Sequence, residues 1–324
     1  MKKNIFRHLF LVSILFTLVC TFPNHSWAAE KKYPTGSIDL FVGFSAGGQA
    51  DLINRTLAKG LEKYLGVTVV PGNKVGGGGI VLASLIASSR PDGYTLSILS
   101  DSVIVATLTG QGTYKMEDLR IVGVVTSYEN CWVTSIDSPW KTVEEFVDYA
   151  RKNPGVKYAH PGVGSVTNIY TEDINRNAKL NMVAVPFKGD PEINAAVLGK
   201  HVPIGAYSYS SGKIQTEAGK TRMLLGYNGL DPTIPSISKV FGKSVPTFDL
   251  VYFLAVAAKT PDEIVQVLEQ AIEKVSKDPE YVGTLRKNNV FPLFVDSKTC
   301  NQKTIPEKIS ILKAVMEPLG LMKK

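Results

Sequence analysis

Three short segments rich in glycine and other small residues stand where a strand pattern gives way to a helix pattern. They are 44–48, 76–79 and 162–167. The first turn of a helix leaves backbone N–H groups without acceptors and carries about half a positive charge. Because glycine lets a ligand approach that backbone closely, such a turn can hold a carboxylate or phosphate without a cationic side chain. The loops therefore indicate anion binding, and a ligand with two or more carboxylates could span them.

Motifs for catalysis, metals and cofactors are weak by comparison. The first loop does not fit G-x-G-x-x-G, and the chain has no G-x-x-x-x-G-K-[ST] segment, so nucleotide binding lacks its fingerprint. Residues 236–239 match S-x-x-K without the companion S-D-N and K-T-G elements. His160 and His201 lack a second ligand at metal-binding spacing and are predicted to be surface or strand-edge residues. The sequence predicts no catalytic residue, metal or cofactor.

The elements around the loops alternate short β-rich runs with helical periodicity, which is typical of an α/β fold. Strands are predicted over 38–42, 67–70, 94–99 and 202–204. A helix over 49–65 follows the first loop. A capping box at 142–145 begins another helix, and a second capping box at 260–263, with Pro261 as first helical residue, begins a helix over 262–277. In an open α/β sheet these loops lie at the carboxyl ends of the strands, where ligands bind.

The N-terminal 28 residues have the pattern of a secretory signal. Three basic residues precede an apolar run over 9–20, and 26–28 (Ser-Trp-Ala) form a small-x-small cleavage site. A membrane anchor is disfavoured because the run is shorter than the roughly 20 residues of a spanning helix. Lipidation at Cys20 is disfavoured because Val19 is not a small residue.

Charge and length exclude several other classes. The 324-residue chain carries a formal net charge of +7, and removal of the three basic residues of the signal leaves +4. Because this mild surplus is spread without runs, a nucleic acid partner is not predicted. The length suggests about two domains. Cys131 and Cys300 could form a disulfide in an oxidising compartment, but their spacing does not say whether they meet.

Several segments, in order along the chain, carry a resemblance to a known family. They are 33–34, 44–51 (Phe-Ser-Ala-Gly-Gly-Gln-Ala-Asp), 73–79, 90–96 (Arg-Pro-Asp-Gly-Tyr-Thr-Leu), 162–165, 185–189 and 219–222. Together they resemble the solute receptors of tripartite tricarboxylate transporters, also called Bug-type binding proteins. The resemblance covers essentially the whole mature chain.

The resemblance implies a fold like that of type II periplasmic binding proteins, with two α/β lobes joined by two crossover strands around a ligand cleft. The crossings should fall near 126–133 and 248–253. Lobe 1 would then comprise 34–131 and 249–324, and lobe 2 would comprise 132–248.

The resemblance also implies a function without catalysis. The receptor would be a periplasmic monomer that binds a small organic anion: a di- or tricarboxylate, an amino acid or an aromatic carboxylate. It would deliver this ligand to the subunits of a membrane permease. Two alternatives stay open: a receptor of the same fold that is an orphan or serves a sensor, and a periplasmic enzyme acting on carboxylates.

Candidate ligand-binding residues follow from the loops and the resemblance together. Those of lobe 1 are Phe44, Ser45, Ala46, Gly47, Gly48, Gln49, Asp51, Gly78, Gly79 and Ser102. Those of lobe 2 are Val163, Gly164, Ser165, Thr167, Lys188, Asp190 and Tyr207.

The chain departs from the family pattern at several of these positions. The first loop opens with 43–45 (Gly-Phe-Ser) instead of Pro-Phe-Pro, and Gln49 replaces a residue that is more often glycine. Asn168 stands in place of a common histidine. Asp190 follows 188–189 (Lys-Gly) where a small residue is usual, which would put an acid near the cleft.

Three candidates keep two interpretations each. Asp51 either complements the dipole of its helix or contacts a ligand amine or bound water. Lys188 either neutralises a ligand carboxylate or is an ordinary exposed lysine. Tyr207 either indicates a ring-containing or elongated ligand or packs against its own lobe.

Overall fold

In the computed structural model of the chain, two β-sheets are flanked by helices. The structure describes residues 33–229, 231–242 and 249–323. The predicted secretory signal and Cys20 lie outside the described residues. Residues 36–324 form one unit that contains both sheets.

The first sheet has six strands in the order β11-β4-β10-β3-β1-β2. Its strands are β1 (Ile38–Val42), β2 (Val69–Asn73), β3 (Thr95–Ser100), β4 (Leu119–Tyr128), β10 (Leu250–Ala257) and β11 (Phe291–Asp296). The first three are parallel, as right-handed βαβ units require, whereas β10 runs antiparallel to β3 and β4.

The second sheet has five strands in the order β7-β6-β8-β5-β9. They are β5 (Asn130–Ser135), β6 (Lys157–His160), β7 (Val183–Pro186), β8 (Ile204–Ser208) and β9 (Thr221–Gly226). Here β6 is parallel to both β7 and β8, and β5 is antiparallel to β8 and β9. The fold is therefore the two-lobed α/β architecture that the resemblance implied.

Helices connect and cover these strands. Around the first sheet lie α1 (Gln49–Leu65), α2 (Ile80–Ala87), α3 (Ser102–Thr109), α9 (Asp262–Lys277), α10 (Pro279–Lys287) and α11 (Ile305–Leu319). Around the second lie α4 (Val143–Lys152), α5 (Val166–Asn177), α6 (Asp190–Leu198), α7 (Tyr209–Glu217) and α8 (Ile237–Phe241). Packing is close where α1 meets α9, since a Cβ on Gly60 would lie 2.6 Å from Val275.

The chain changes sheets at a single residue. β4 ends at Tyr128 in the first sheet and β5 begins at Asn130 in the second, with only Glu129 between them. The backbone returns to the first sheet with β10. Both changes of sheet fall in or beside the predicted crossings, and the lobe boundaries at 131 and 249 stay our proposal.

Element boundaries agree with the sequence where a side chain caps the helix. The predicted cap at Thr142 is confirmed, because its hydroxyl accepts from the N–H of Glu145. The predicted cap at Thr260 is wrong in detail: its hydroxyl donates to the carbonyl of Ala257, and Pro261 precedes the helix instead of opening it. The strand predicted over 202–204 begins at Ile204 and runs to Ser208.

The sequence did not reveal α3. Its first turns are buried on every side, with Val103, Ile104, Val105 and Ala106 at most 1% exposed. A helix without a polar face has no amphipathic period to detect. The cysteines are both buried and free, so the disulfide left open by the sequence is not formed in the structure.

Candidate functional site

A cavity lies where strand ends of the two sheets meet. Its lining residues are Phe44, Ser45, Gly48, Gln49, Ala50, Ser100, Ser102, Tyr128, Asn130, Pro161, Ser165, Thr167, Asp190, Ser208 and Tyr252. Most of them follow the carboxyl ends of β1, β3, β6 and β8, as expected of an open α/β sheet. The cavity measures about 30 Å³, room for one or two waters. A ligand of several heavy atoms therefore fits only when the two walls separate.

The first loop is held in shape by Asp51. Its Oδ2 accepts from the backbone N–H of Gly47 and from Arg55 Nε, both at 3.0 Å, and its Oδ1 accepts from Asn73 Nδ2 at 3.0 Å. Burial acts to raise the pKa of Asp51, but the hydrogen bonds from Arg55, Gly47 and Asn73 outweigh it and lower the pKa. Asp51 does not line the cavity, and its contacts are with the first loop, Asn73 and Arg55.

Gln49, the first residue of α1, brings an unpaired amide to the cavity. Its side chain is 3% exposed, and neither Oε1 nor Nε2 has a hydrogen-bond partner among the described residues. Buried polar groups are paired in the great majority of cases, because leaving one unpaired costs about 1–3 kcal/mol. The amide of Gln49 is therefore available to a bound molecule.

Asp190 reaches from the start of α6 to the start of α1. Its Oδ2 accepts from the backbone N–H of Gln49 at 3.2 Å and from Ser211 Oγ at 2.8 Å, and it also accepts from Ser208 Oγ. The sequence expected an acid near the cleft at this position, and the structure puts the side chain in the cavity wall.

Two further contacts join the same edges of the two sheets. The N–H of Ser45 donates to the carbonyl of Lys188 at 3.3 Å, and the hydroxyl of Ser45 donates to Glu192 Oε2 at 2.8 Å. The Lys188 side chain is exposed and does not line the cavity. Lys188 thus contributes its backbone to this contact.

The other two glycine loops pack directly on each other. A Cβ on Gly162, whose φ is +121°, would lie 2.7 Å from the backbone nitrogen of Gly78, and a Cβ on Gly78 would lie 3.4 Å from Ser165. The N–H of Val166 donates to Ser102 Oγ at 3.1 Å across the same junction. Only glycine permits this approach, which leaves no room for a ligand between the two backbones.

The structure gathers eight of the candidate residues at the cavity and leaves nine outside it. Phe44, Ser45, Gly48, Gln49, Ser102, Ser165, Thr167 and Asp190 line it. Ala46, Gly47, Asp51, Gly78, Gly79, Val163, Gly164, Lys188 and Tyr207 do not. Ala46, Gly47, Val163 and Lys188 are exposed to solvent, whereas the other five are buried.

Tyr207 lies in the core of the second lobe. Its side chain is fully buried in a cluster with Cys131, Ile193 and Val197, and its hydroxyl donates to Asn194 Oδ1. Of its two interpretations, packing within its own lobe is the one that matches these contacts.

Sequence reasoning missed the tyrosines of the crossover strands. Tyr128 ends β4 and Tyr252 lies in β10, and their ring centroids are 4.5 Å apart beside the cavity. Burial raises the pKa of both phenols. Their position within the predicted crossings, which must border a cleft between lobes, was the signal that could have found them. Ala50, Ser100, Asn130, Pro161 and Ser208 were missed as well.

A buried ion pair stands behind the cavity. Lys308 Nζ of α11 lies 3.2 Å from Asp101 Oδ1, and Asp101 Oδ2 accepts from the N–H of Val251 at 2.9 Å. Burial raises the pKa of Asp101, while Lys308 and the Val251 N–H act to lower it. Lys308 also donates to the carbonyl of Asp249. The pair ties α3 and α11 to the start of the returning crossover strand.

His160 contacts the third glycine loop, 162–167, from within the second lobe. It ends β6, an inner strand of the second sheet, and is fully buried, so the expectation of a surface or strand-edge residue is wrong for His160, whereas His201 is exposed. Its Nδ1 lies 2.9 Å from the carbonyl oxygen of Gly162, so the neutral ring carries its proton there. Burial lowers the pKa of His160 to about 4, against a partial opposing effect of that hydrogen bond.

Neither metal ligation nor membrane spanning is found in the described part of the chain. No group of three or more His, Cys, Asp and Glu residues there could hold a metal ion. Within 33–229, 231–242 and 249–323, no helix has both the length and the apolar character needed to span a bilayer.

Comparison with known proteins identifies the family. The family model described as tripartite tricarboxylate transporter family receptor matches residues 53–321. The chain belongs to this receptor family. A UPF0065 protein of Cupriavidus necator is 31% identical over 303 residues, covering 91% of each chain. The protein BugT of Bordetella pertussis is 26% identical over 293 residues, covering 87% of this chain and 89% of BugT.

Solved structures agree with the receptor fold. A periplasmic transporter superimposes with a TM-score of 0.82 at 26% identity, covering 90% of this chain and 99% of its own. The periplasmic binding protein BugD gives a TM-score of 0.83 at 22% identity, covering 90% and 100%. A protein of R. palustris solved with adipate gives 0.81 at 24% identity, covering 89% and 98%.

Proposed function

We propose that this receptor captures a small organic carboxylate between its two lobes in the periplasm and delivers it to a tripartite permease. The observation that carries the proposal is the cavity itself. Loops from both sheets meet there, and the buried amide of Gln49 lacks a partner among the described residues. The predicted signal over 1–28 supports export, and the lobes would be 34–131 with 249–324, and 132–248.

Closure would couple binding to a change of shape. In the structure the lobes touch through Ser45 and the 188–192 segment on one side and through Gly78 and Gly162 on the other. A bound ligand would hold the walls slightly further apart than in this structure while contacting both of them, so it would shift the population from an open state toward a closed one. The permease would then distinguish the ligand-bound receptor from the free receptor by its closed conformation.

Thermal stabilisation of the mature protein tests this function. The probes are acetate, succinate, adipate, malate, citrate and, as a neutral comparison, glucose. At 100 times its dissociation constant, a true ligand adds about 2.7 kcal/mol to the free energy of unfolding and raises the Tm visibly. A carboxylate that raises the Tm and is recovered chemically unchanged supports a receptor without catalysis. A Tm raised by glucose and by no carboxylate would refute the proposal.

A further inference from the structure

We infer that Asp190 selects ligands that carry an ammonium group as well as a carboxylate, so that the substrate class is amino acids or similar zwitterions. The inference rests on the proposed function, because it narrows the class of carboxylate that the cavity takes. It depends on the charges of the cavity wall and on the free oxygen of Asp190.

The wall of the cavity carries one acidic side chain. Of its fifteen residues, Asp190 is the only aspartate or glutamate, and none is lysine, arginine or histidine. The two lining tyrosines, Tyr128 and Tyr252, stay neutral because burial raises their pKa. Lys188, although close in sequence, turns its side chain to solvent. A ligand in the cavity therefore meets a net negative wall.

One oxygen of Asp190 is fully engaged and the other is not. Three donors, the Gln49 N–H and the hydroxyls of Ser208 and Ser211, all point to Oδ2. No described residue donates a hydrogen bond to Oδ1. Three donors fix the orientation of the carboxylate, and the second oxygen keeps its full capacity to accept from a cation.

A ligand that bears only carboxylates would fit this wall badly. Two negative charges a few ångströms apart repel each other. An ammonium group beside Oδ1 reverses the sign of that interaction. The ligand carboxylate would then be held by neutral donors, namely the amide of Gln49 and the hydroxyls of Ser165 and Thr167.

Matched probe pairs that differ by one ammonium group test the inference. The pairs are succinate with L-aspartate, glutarate with L-glutamate, and adipate with L-2-aminoadipate, titrated calorimetrically into the mature protein. We expect the amino member of the best-bound pair to bind at least about tenfold more tightly, equal to about 1.4 kcal/mol. In Asp190→Asn, which keeps an acceptor for the same donors, this preference should fall below about threefold.

Glu144→Gln is the matched control, because it removes an exposed carboxylate of α4, in the same lobe, that does not line the cavity. Its preference within the pair should equal that of the wild type. The inference is overturned if the wild type binds both members of a pair equally or favours the member without nitrogen. It is also overturned if Asp190→Asn keeps the full preference, since Asp190 would then only cap α1. Those outcomes leave the proposed function standing, because that function fails only on its own test, a Tm raised by glucose and by no carboxylate.

Discussion

Two edges of the molecule bring glycine loops of one lobe against the other, and they do so differently. At the first edge, 44–49 faces 188–192 through side chains, with Asp190, Ser45 and Glu192 forming the contacts. At the second edge, 76–79 faces 162–165 mainly through backbone atoms, with the Cβ of Ser165 beside Gly78. Both edges have the strand–glycine–helix construction that predicts anion binding. The first edge contributes several polar residues to the cavity wall, whereas of the second edge only Ser165 lines the cavity.

The difference shows that a glycine loop can have two uses. Where side chains such as Gln49 and Asp190 surround it, the exposed backbone borders a cavity. Where a second glycine loop faces it, the two backbones fill each other's space. We therefore assign ligand recognition to the first edge and the approach of the lobes to the second.

The largest effect should come from a charge placed at the first edge. A Cβ on Gly48 would lie 3.5 Å from Asp190 Oδ2, so Gly48→Asp puts a second carboxylate beside the first. We expect the affinity for every carboxylate or amino acid that the wild type binds to fall by roughly a thousandfold, measured calorimetrically. Gly36→Asp, an exposed position with open space around it, should bind like the wild type. Normal affinity in Gly48→Asp would remove the first edge from the site.

The pH dependence of stability tests the role of His160, whose side chain contacts the carbonyl of Gly162 at the second edge. Because burial lowers the pKa of His160 from 6.5 to about 4, the unfolded chain takes up a proton on this residue before the folded one does. The contribution of neutral His160 to the free energy of unfolding is therefore complete above pH 6.5. It is lost as the pH falls toward 4, and the loss is up to about 3 kcal/mol.

Denaturant unfolding at a series of pH values measures this loss. His160→Gln should flatten the slope between pH 6.5 and 4, whereas His201→Gln, at an exposed position, should leave it unchanged. Equal slopes in the wild type and His160→Gln would show that His160 does not carry the effect.

A smaller effect is expected from a methyl group at the second edge. Gly162→Ala combines a strained φ of +121° with a Cβ 2.7 Å from Gly78, so the lobes can no longer approach as closely. Affinity should fall by roughly tenfold for both members of each probe pair, with their ratio unchanged. Gly283→Ala, on an open face of α10, should bind normally. A changed ratio in Gly162→Ala would mean that the second edge also determines selectivity.

The sequence predicted those cavity-lining residues that lie in a recognisable succession of strand, glycine loop and helix. Phe44, Ser45, Gly48 and Gln49 were found because a strand, a glycine loop and a helix follow one another within a few residues. Tyr207 could not be placed, since all five residues of β8 are buried and the strand shows no alternation. Tyr128 and Tyr252 meet only because strands more than a hundred residues apart pair, which no local pattern records.

The central position of β10 in the first sheet has a consequence for folding of the chain during its synthesis. This strand inserts between β3 and β4, about 150 residues after β3, so the edges of β3 and β4 that pair with it stay open until residues 250–257 have been made. Pairing between strands so distant in sequence is slow, and until it occurs the unpaired strand edges can pair with other chains. A nascent chain that stops short of Leu250 would be a half-finished sheet, prone to aggregate, even with the second sheet complete.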